Sequence, residues 1–464
     1  MTTVDTNIHA FADRFVQSAR SLGIADPIAT EVSLRRRRRT KLAPDSRRIL
    51  AMYEHNGILR WEEGVGVPTP AGRRRRRAGI GQPDGRLVTQ FSFEDLPTNK
   101  IGDYLTSADI HLTANQGLFR LDTADGIDRA GWTRVDGGIA QDKRTLLFVH
   151  GTFSSIDNYL KELRDPQNPA GRSFLTDIMA DYDQVLGFGH PTLSVSPFLN
   201  AVDLHRHFAG VTSEVHVISH SRGGLVTRWW LDGLGGGGVG PRKAVLVGSP
   251  MSGTGLASPA RIRATMDLLT NVARGLELVG AAASSVLPFM SVATVLGRVM
   301  KAVTGTLANT PLADAGVALI PGLAGQSRVG NNFEIRRLRA APTSQGTRYY
   351  TISSNFEPTD PGWKFWQYFR GKNLLDAAAD TVFDGDNDLV VDTDSMNQLV
   401  DRPAQPVAEA FSFKTNPTVY HTNYFRQPET FDRLRAWFGA SSVHAATASA
   451  GGRRAGRRRP RRST

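Results

Sequence analysis

A doubly wound, mostly parallel α/β sheet, with a helical cap insertion and a small β-rich module ahead of it, is the fold class this sequence predicts. Three observations carry that prediction. Five short apolar runs (TLLFVH from Thr145, QVLGF from Gln184, EVHVIS from Glu214, KAVLVG from Lys243 and RYYTIS from Arg348) are separated by helical segments. Strands covered on both faces read as near-continuous apolar runs, whereas strands with one wet face alternate, so strand–helix repetition of this kind favours a parallel sheet. A long apolar insertion separates the fourth run from the fifth, and the texture before Thr145 is different again.

Taken in order, residues 1–25 show a helical period, with Ile8, Phe11, Phe15 and Leu22 on one face and Asp13 and Arg20 turned away. From Ile49 to Trp132, ILRWEEGVGV, AGIGQPDGRLVTQFSF and DIHLTANQGLFRLD read as strands punctuated by Asn-Gly, Asp-Gly and Gln-Gly. Residues 1–140 are therefore expected to form a helix plus a β-rich module, and 141–440 the α/β domain, closed by the amphipathic segment QPETFDRLRAWFG. Residues 255–340 are expected to form the cap. Leu278 to Gly297 is free of charge and long enough to span a bilayer, but it holds Pro288 and four hydroxyl residues and falls between two core strands. A transmembrane span is not expected there; a cap that touches lipid at most is.

Composition excludes several chemistries. The 464 residues include no cysteine, which removes disulfide scaffolds, thiolate-held zinc, iron–sulfur clusters and thiol catalysis. The opening MTTVDTNIHAFADRF carries Asp5 and no apolar signal core, so a cytoplasmic location is the expectation. The formal charge of +12 is concentrated in Arg35–Arg39, Arg73–Arg77 and seven arginines among the last twelve residues; setting those 17 aside leaves −5. Such blocks can touch an anionic surface. Without interleaved aromatics or a reading module, specific nucleic-acid recognition is not expected, and residues 441–464 read as a disordered tail.

The chemistry-bearing segment is EVHVISHSRGGLVTRWW. A buried strand runs into Ser219-His220-Ser221-Arg222-Gly223 and then a helix, the G-x-S-x-G nucleophile elbow with serine at its first position. Small residues must flank so sharp a turn, and they force Ser221 into the open. The plain alternative is a β–α turn with an N-cap serine; the strand-turn-helix context with its flanking small residues favours the elbow over it. After the first apolar run comes His150-Gly151-Thr152-Phe153. An oxyanion hole needs one N–H from the residue after the nucleophile and one from this loop. Arg222 and Thr152 would supply them, with Phe153 the alternate.

On these motifs the sequence resembles the α/β-hydrolase superfamily, and within it the lipase and lecithin–cholesterol acyltransferase-like branch, from about Thr145 to Ala440. The resemblance implies a Ser…Asp…His order and a hydrophobic cap inserted late in the sheet. Of the histidines, only His421 and His444 follow the acidic cluster, and His444 lies in the tail, which leaves His421 as general base. Related lipases carry the acid in an Asn-Asp-Gly-x-Val turn, and Asn387-Asp388-Leu389-Val390 matches best, with Leu389 where glycine is usual and Asp386 as the alternative acid. Asp384, Asp386 and Asp388 alternate as in a calcium loop, but Leu389 and Ser395 occupy the required Gly and Glu positions, so an EF-hand is rejected. His205 and His207 sit in a helical segment that splays them, and no metal is expected.

The function expected is hydrolysis of carboxylic esters with hydrophobic or lipid-like acyl groups, through Ser221, Asp388 and His421 and with no cofactor. Two rivals stand beside it. One is an acyltransferase using the same residues; the other is a non-catalytic module of the same fold that binds anionic surfaces through its arginine blocks.

Overall fold

The computed structural model describes residues 4–21, 28–30, 49–55, 57–63, 85–92, 96, 98–238, 240–257, 262–278, 283–307, 319–328, 332–359 and 385–439. The two internal arginine blocks, Asp384 and residues 441–464 lie outside them.

Helix α1 (Val4–Ser21) is followed by β1 (Ile28–Thr30), β2 (Ile49–His55), β3 (Ile58–Glu63) and β4 (Arg86–Ser92), which pair antiparallel in the order β1-β4-β2-β3. Ile8, Phe11 and Phe15 of α1 are buried, as their spacing predicts. Phe15, Trp61 and Phe91 form an aromatic cluster with centroid separations of 5.0–5.5 Å.

Helix α2 (Ile101–Leu112) leads into an eight-stranded sheet of β5 (Gly117–Asp122), β6 (Gly131–Arg134), β7 (Thr145–Val149), β8 (Gln184–Gly189), β9 (Val215–His220), β10 (Arg242–Val247), β11 (Thr347–Phe356) and β12 (Val407–Asn416). Their order is β12-β11-β10-β9-β7-β8-β5-β6; the six strands from β12 to β8 are parallel, and β5 and β6 finish the edge antiparallel. The intervening helices are α3 (Ile156–Arg164), α4 (Pro169–Asp181), α5 (Pro197–His207), α6 (Gly223–Arg228), α7 (Ile262–Leu278), α8 (Ala283–Leu307), α9 (Pro321–Ala324), α10 (Phe333–Ala340), α11 (Thr393–Asn397) and α12 (Pro428–Phe438). Side chains of α5, α6 and α10 share one core with the sheet, and those of α3, α4 and α12 share another, so both faces are covered. The doubly wound sheet that the apolar runs predict is the fold of this chain.

Three expectations change. The boundary at residue 140 moves, because β5 and β6 belong to the large sheet and not to the N-terminal module. Their half-exposed pattern marks an antiparallel edge, which the sequence assigns to no particular sheet. Within DIHLTANQGLFRLD, the DIHL portion is the last turn of α2, not strand. The cap is narrower than 255–340, since Ile335 and Leu338 of α10 pack into the core of the large sheet.

The cap proper is α7 and α8, and it shares a single core with the N-terminal module, from Phe15, Leu59, Trp61 and Phe91 to Leu269, Val272 and Leu296. β3 is an edge strand, which ordinarily exposes unpaired backbone groups. Here α7 finishes it. Asn271 Oδ1 accepts from the Leu59 N–H at 2.8 Å while Asn271 Nδ2 donates to the Leu59 carbonyl at 2.6 Å. Asp267 Oδ1 accepts from the Trp61 N–H at 2.7 Å, and the indole Nε1 donates to Thr270 Oγ1 at 2.8 Å. No helix among the described residues is long and apolar enough to cross a membrane.

Candidate functional site

The strand order reverses at β7, with β8 on one side and β9 on the other. Ligand crevices in open α/β sheets form at such a point, beyond the carboxyl ends of the strands. Ser221 follows β9 and Thr152 follows β7, so the two sequence motifs meet there.

Ser221 has φ +54°, a left-handed conformation that costs a non-glycine residue on the order of 1 kcal/mol or more and persists only where neighbours enforce it. Its N–H donates to the Val247 carbonyl at 2.9 Å. A Cβ on Gly223 would meet the Val149 carbonyl at 2.3 Å, and one on Gly151 would meet Ser221 Cβ at 2.7 Å. Only glycine fits either position, which is why the helix can pass over β7 and the loop can approach the serine. Ser219, at the usual glycine position, is fully buried and donates its hydroxyl to the Val245 carbonyl at 3.1 Å.

Asp388 is completely buried, and its Oδ2 lies 2.8 Å from His421 Nδ1. Tyr424 Oη donates to the same oxygen at 2.9 Å, while the N–H groups of Val390 and Val391 donate to Oδ1 at 3.1 and 2.9 Å. The His421 N–H donates to the Asp388 carbonyl at 2.9 Å, and His220 Nε2 donates to the His421 carbonyl at 2.8 Å. Both carboxylate oxygens and both ends of the imidazole's backbone are thus fixed. Asp386 is exposed, and its carbonyl accepts from the Thr393 N–H, whereas the carboxylate bonded to His421 Nδ1 is that of Asp388. Leu389, which replaces the glycine usual after the acid, has φ +87°, so the turn keeps the conformation glycine favours although the residue has changed.

Ser221, His421, His220, Thr152 and Phe153 line one cavity. Its apolar wall includes Leu269 of α7, Phe289 and Val292 of α8, Leu323, Val390 and Phe425; Asn158, Lys161, Glu162 and Gln326 supply the polar part. The amides of Thr152 and Arg222 have no hydrogen-bond partner among the described residues. The Phe153 amide does: it donates to Thr192 Oγ1 at 3.2 Å, in a residue whose φ is +56°. Of the two expected loop donors, the Phe153 amide is thus engaged with Thr192, which leaves Thr152 as the favoured one.

Behind the serine, His150 and His190 are fully buried with rings stacked at 4.0 Å. Burial pushes His150 down to about 3 and His190 well below the ordinary imidazole range. Both are neutral at physiological pH, and His150 Nδ1 donates to the Gly151 carbonyl at 2.9 Å. The Arg222 guanidinium is also fully buried, which lowers it to about 10, and its Nη2 donates to the Val195 carbonyl at 2.6 Å. Tyr424 and Thr192 were not signalled by any motif, and His220 entered only as the unspecified second position of the elbow. No cluster of three or more metal-ligating side chains occurs among the described residues.

Residues 110–439 match a family described as a domain of unknown function, DUF7379. No curated protein matches the sequence. Among solved structures, a lipase of Bacillus licheniformis is similar at 12% identity and a TM-score of 0.35, over 67% of this chain and 96% of its own. Lipase 1 of Pelosinus fermentans is similar at 14% identity and 0.37, over 64% and 98%. An esterase of a Rhodococcus species is similar at 16% and 0.35, over 70% and 99%.

Proposed function

We propose that this chain, which belongs to the DUF7379 family, is a serine hydrolase that cleaves carboxylic esters with hydrophobic acyl groups. The observation that carries this reading is the pairing of His421 Nδ1 with the buried Asp388 at 2.8 Å, beside a serine held at φ +54° on the wall of the same cavity.

In this mechanism Ser221 Oγ attacks the ester carbonyl carbon while His421 takes its proton at Nε2, because Nδ1 is occupied by Asp388. The Thr152 and Arg222 amides receive the negative charge that develops on the carbonyl oxygen. The imidazolium then protonates the leaving alkoxide, giving an acyl-enzyme, and a water activated by His421 releases the acid. Tyr424 and the Val390 and Val391 amides hold the Asp388 carboxylate in the plane that His421 requires. The apolar wall of Leu269, Phe289 and Val292 supports an aliphatic acyl group and a place near the lipase and lecithin–cholesterol acyltransferase-like branch. A kinetic screen of p-nitrophenyl esters of increasing chain length tests the reading. Activity that falls by on the order of a million-fold in Ser221→Ala is expected; turnover unchanged in that variant would end it.

A further inference from the structure

The turn that carries Thr152 is held in shape from outside the sheet. Asp109, at the end of α2, is 1% exposed and faces three consecutive backbone amides. Its Oδ1 accepts from the N–H of Thr192 at 2.7 Å and of Leu193 at 2.9 Å; its Oδ2 accepts from the N–H of Leu193 at 3.1 Å and of Ser194 at 2.7 Å, and from Ser194 Oγ at 2.6 Å. Successive N–H groups converging on one anion form a nest, and here the chain's own carboxylate fills it. Thr192 Oγ1, 3.4 Å from the same carboxylate, accepts the amide of Phe153. The end of α2 makes a second tie, since Thr113 Oγ1 donates to the Ser154 carbonyl at 3.0 Å. The strained Phe153 is thus anchored through its N–H, and the next carbonyl along is anchored as well.

From this arrangement we infer that Asp109 is a positioning residue for the oxyanion donor: through Thr192 it locks Phe153 in the left-handed conformation and so aims the Thr152 N–H into the cavity. The inference rests on the hydrolase reading above. It also gives α2, which precedes the large sheet, a role in catalysis that no motif in the sequence announces.

Thr192→Val removes the acceptor hydroxyl while keeping the shape of a fully buried side chain. Steady-state kinetics on a soluble short-chain ester, with full-length protein, should show kcat reduced on the order of a hundredfold, the scale of a misplaced catalytic group, with KM within about twofold. Thr192→Ser should restore kcat. Hydrogen-exchange mass spectrometry should show the Phe153 amide losing protection in Thr192→Val and in Asp109→Ala, and keeping it in Thr192→Ser. A Thr192→Val enzyme with wild-type kcat would overturn the inference, and so would one that is slow while Phe153 stays protected. Failure of the hydrolase reading looks different: wild-type protein would not react with a fluorophosphonate. The exchange arm still decides the anchoring in that case, because unchanged protection of Phe153 in Asp109→Ala contradicts it.

Discussion

The two halves of this molecule are built on different principles. The large sheet pairs strand with strand across eight members and buries strands such as β7 and β8 along their whole length. The small sheet has four strands and leaves β3 at an edge, which side chains of α7 complete from more than 200 residues away in sequence. The first half carries Ser221, Asp388 and His421; the second is joined by one shared core to the helices that wall the cavity. Ser221, Asp388 and His421 thus sit on strands and loops of the large sheet, while part of the wall of their cavity is built on a core shared with the small module.

The largest expected effect lies in the sheet half. Asp388→Asn should lower kcat roughly ten-thousand-fold, since the imidazole loses its acceptor and takes the wrong tautomer. Asp386→Asn should stay within a few-fold, and equal losses in the two variants would dissolve the distinction drawn between these carboxylates. In the module, Trp61→Ala should destabilise by about 3–5 kcal/mol, because a fully buried indole and its bond to Thr270 are lost. Its kinetic signature should be the reverse of Asp388→Asn: phosphonate reaction at Ser221 near the wild-type rate, but weakened preference for long acyl chains. Parallel loss of both activities would mean that the halves are not separable.

Acid should distinguish them too. His150 and His190 are held neutral below the unfolded value near 6.5, so as pH falls through 6.5 the unfolded chain takes up protons that the folded chain refuses. Stability is full above that pH and declines toward pH 3, by up to about 1.4 kcal/mol per pH unit for each histidine. The described histidines of the module, His9 and His55, are not buried. Exchange measured at pH 5 should therefore show protection falling first in β7 to β9, and earlier loss in β2 to β4 would contradict the assignment. The smallest effect belongs to neither half: truncation after Ala440 should leave kcat on a soluble ester unchanged, because residues 451–464 hold seven arginines with only Gly, Ala, Pro, Ser and Thr between them and ordering them would bring little apolar return.

What was legible in the sequence follows the same division. Ser221 and Thr152 sit on local signals, a buried strand followed by small residues, and such signals survive any tertiary arrangement. Asp388 could be ranked above Asp386 from its turn, although the positive φ of Leu389 shows that the glycine marking the turn can be replaced. Phe153 could not be separated from Thr152 as a donor, because the Thr192 hydroxyl that claims its amide lies 39 residues away. Asp109 was hidden in a segment whose alternation suggested a strand. β12 was missed because its exposed, alternating edge pattern lacks the continuous apolar run that marked its neighbours. The junction of module and cap rests on pairings between distant segments, and no periodicity in either segment points to the other.

The most direct test of the central claim is intact-mass and peptide-mapping mass spectrometry after treatment with a fluorophosphonate. One adduct per chain, on Ser221 in wild type and absent from Ser221→Ala, is the predicted result. An adduct that persists in Ser221→Ala, or wild-type protein that stays unlabelled, would contradict the assignment of Ser221 as the nucleophile.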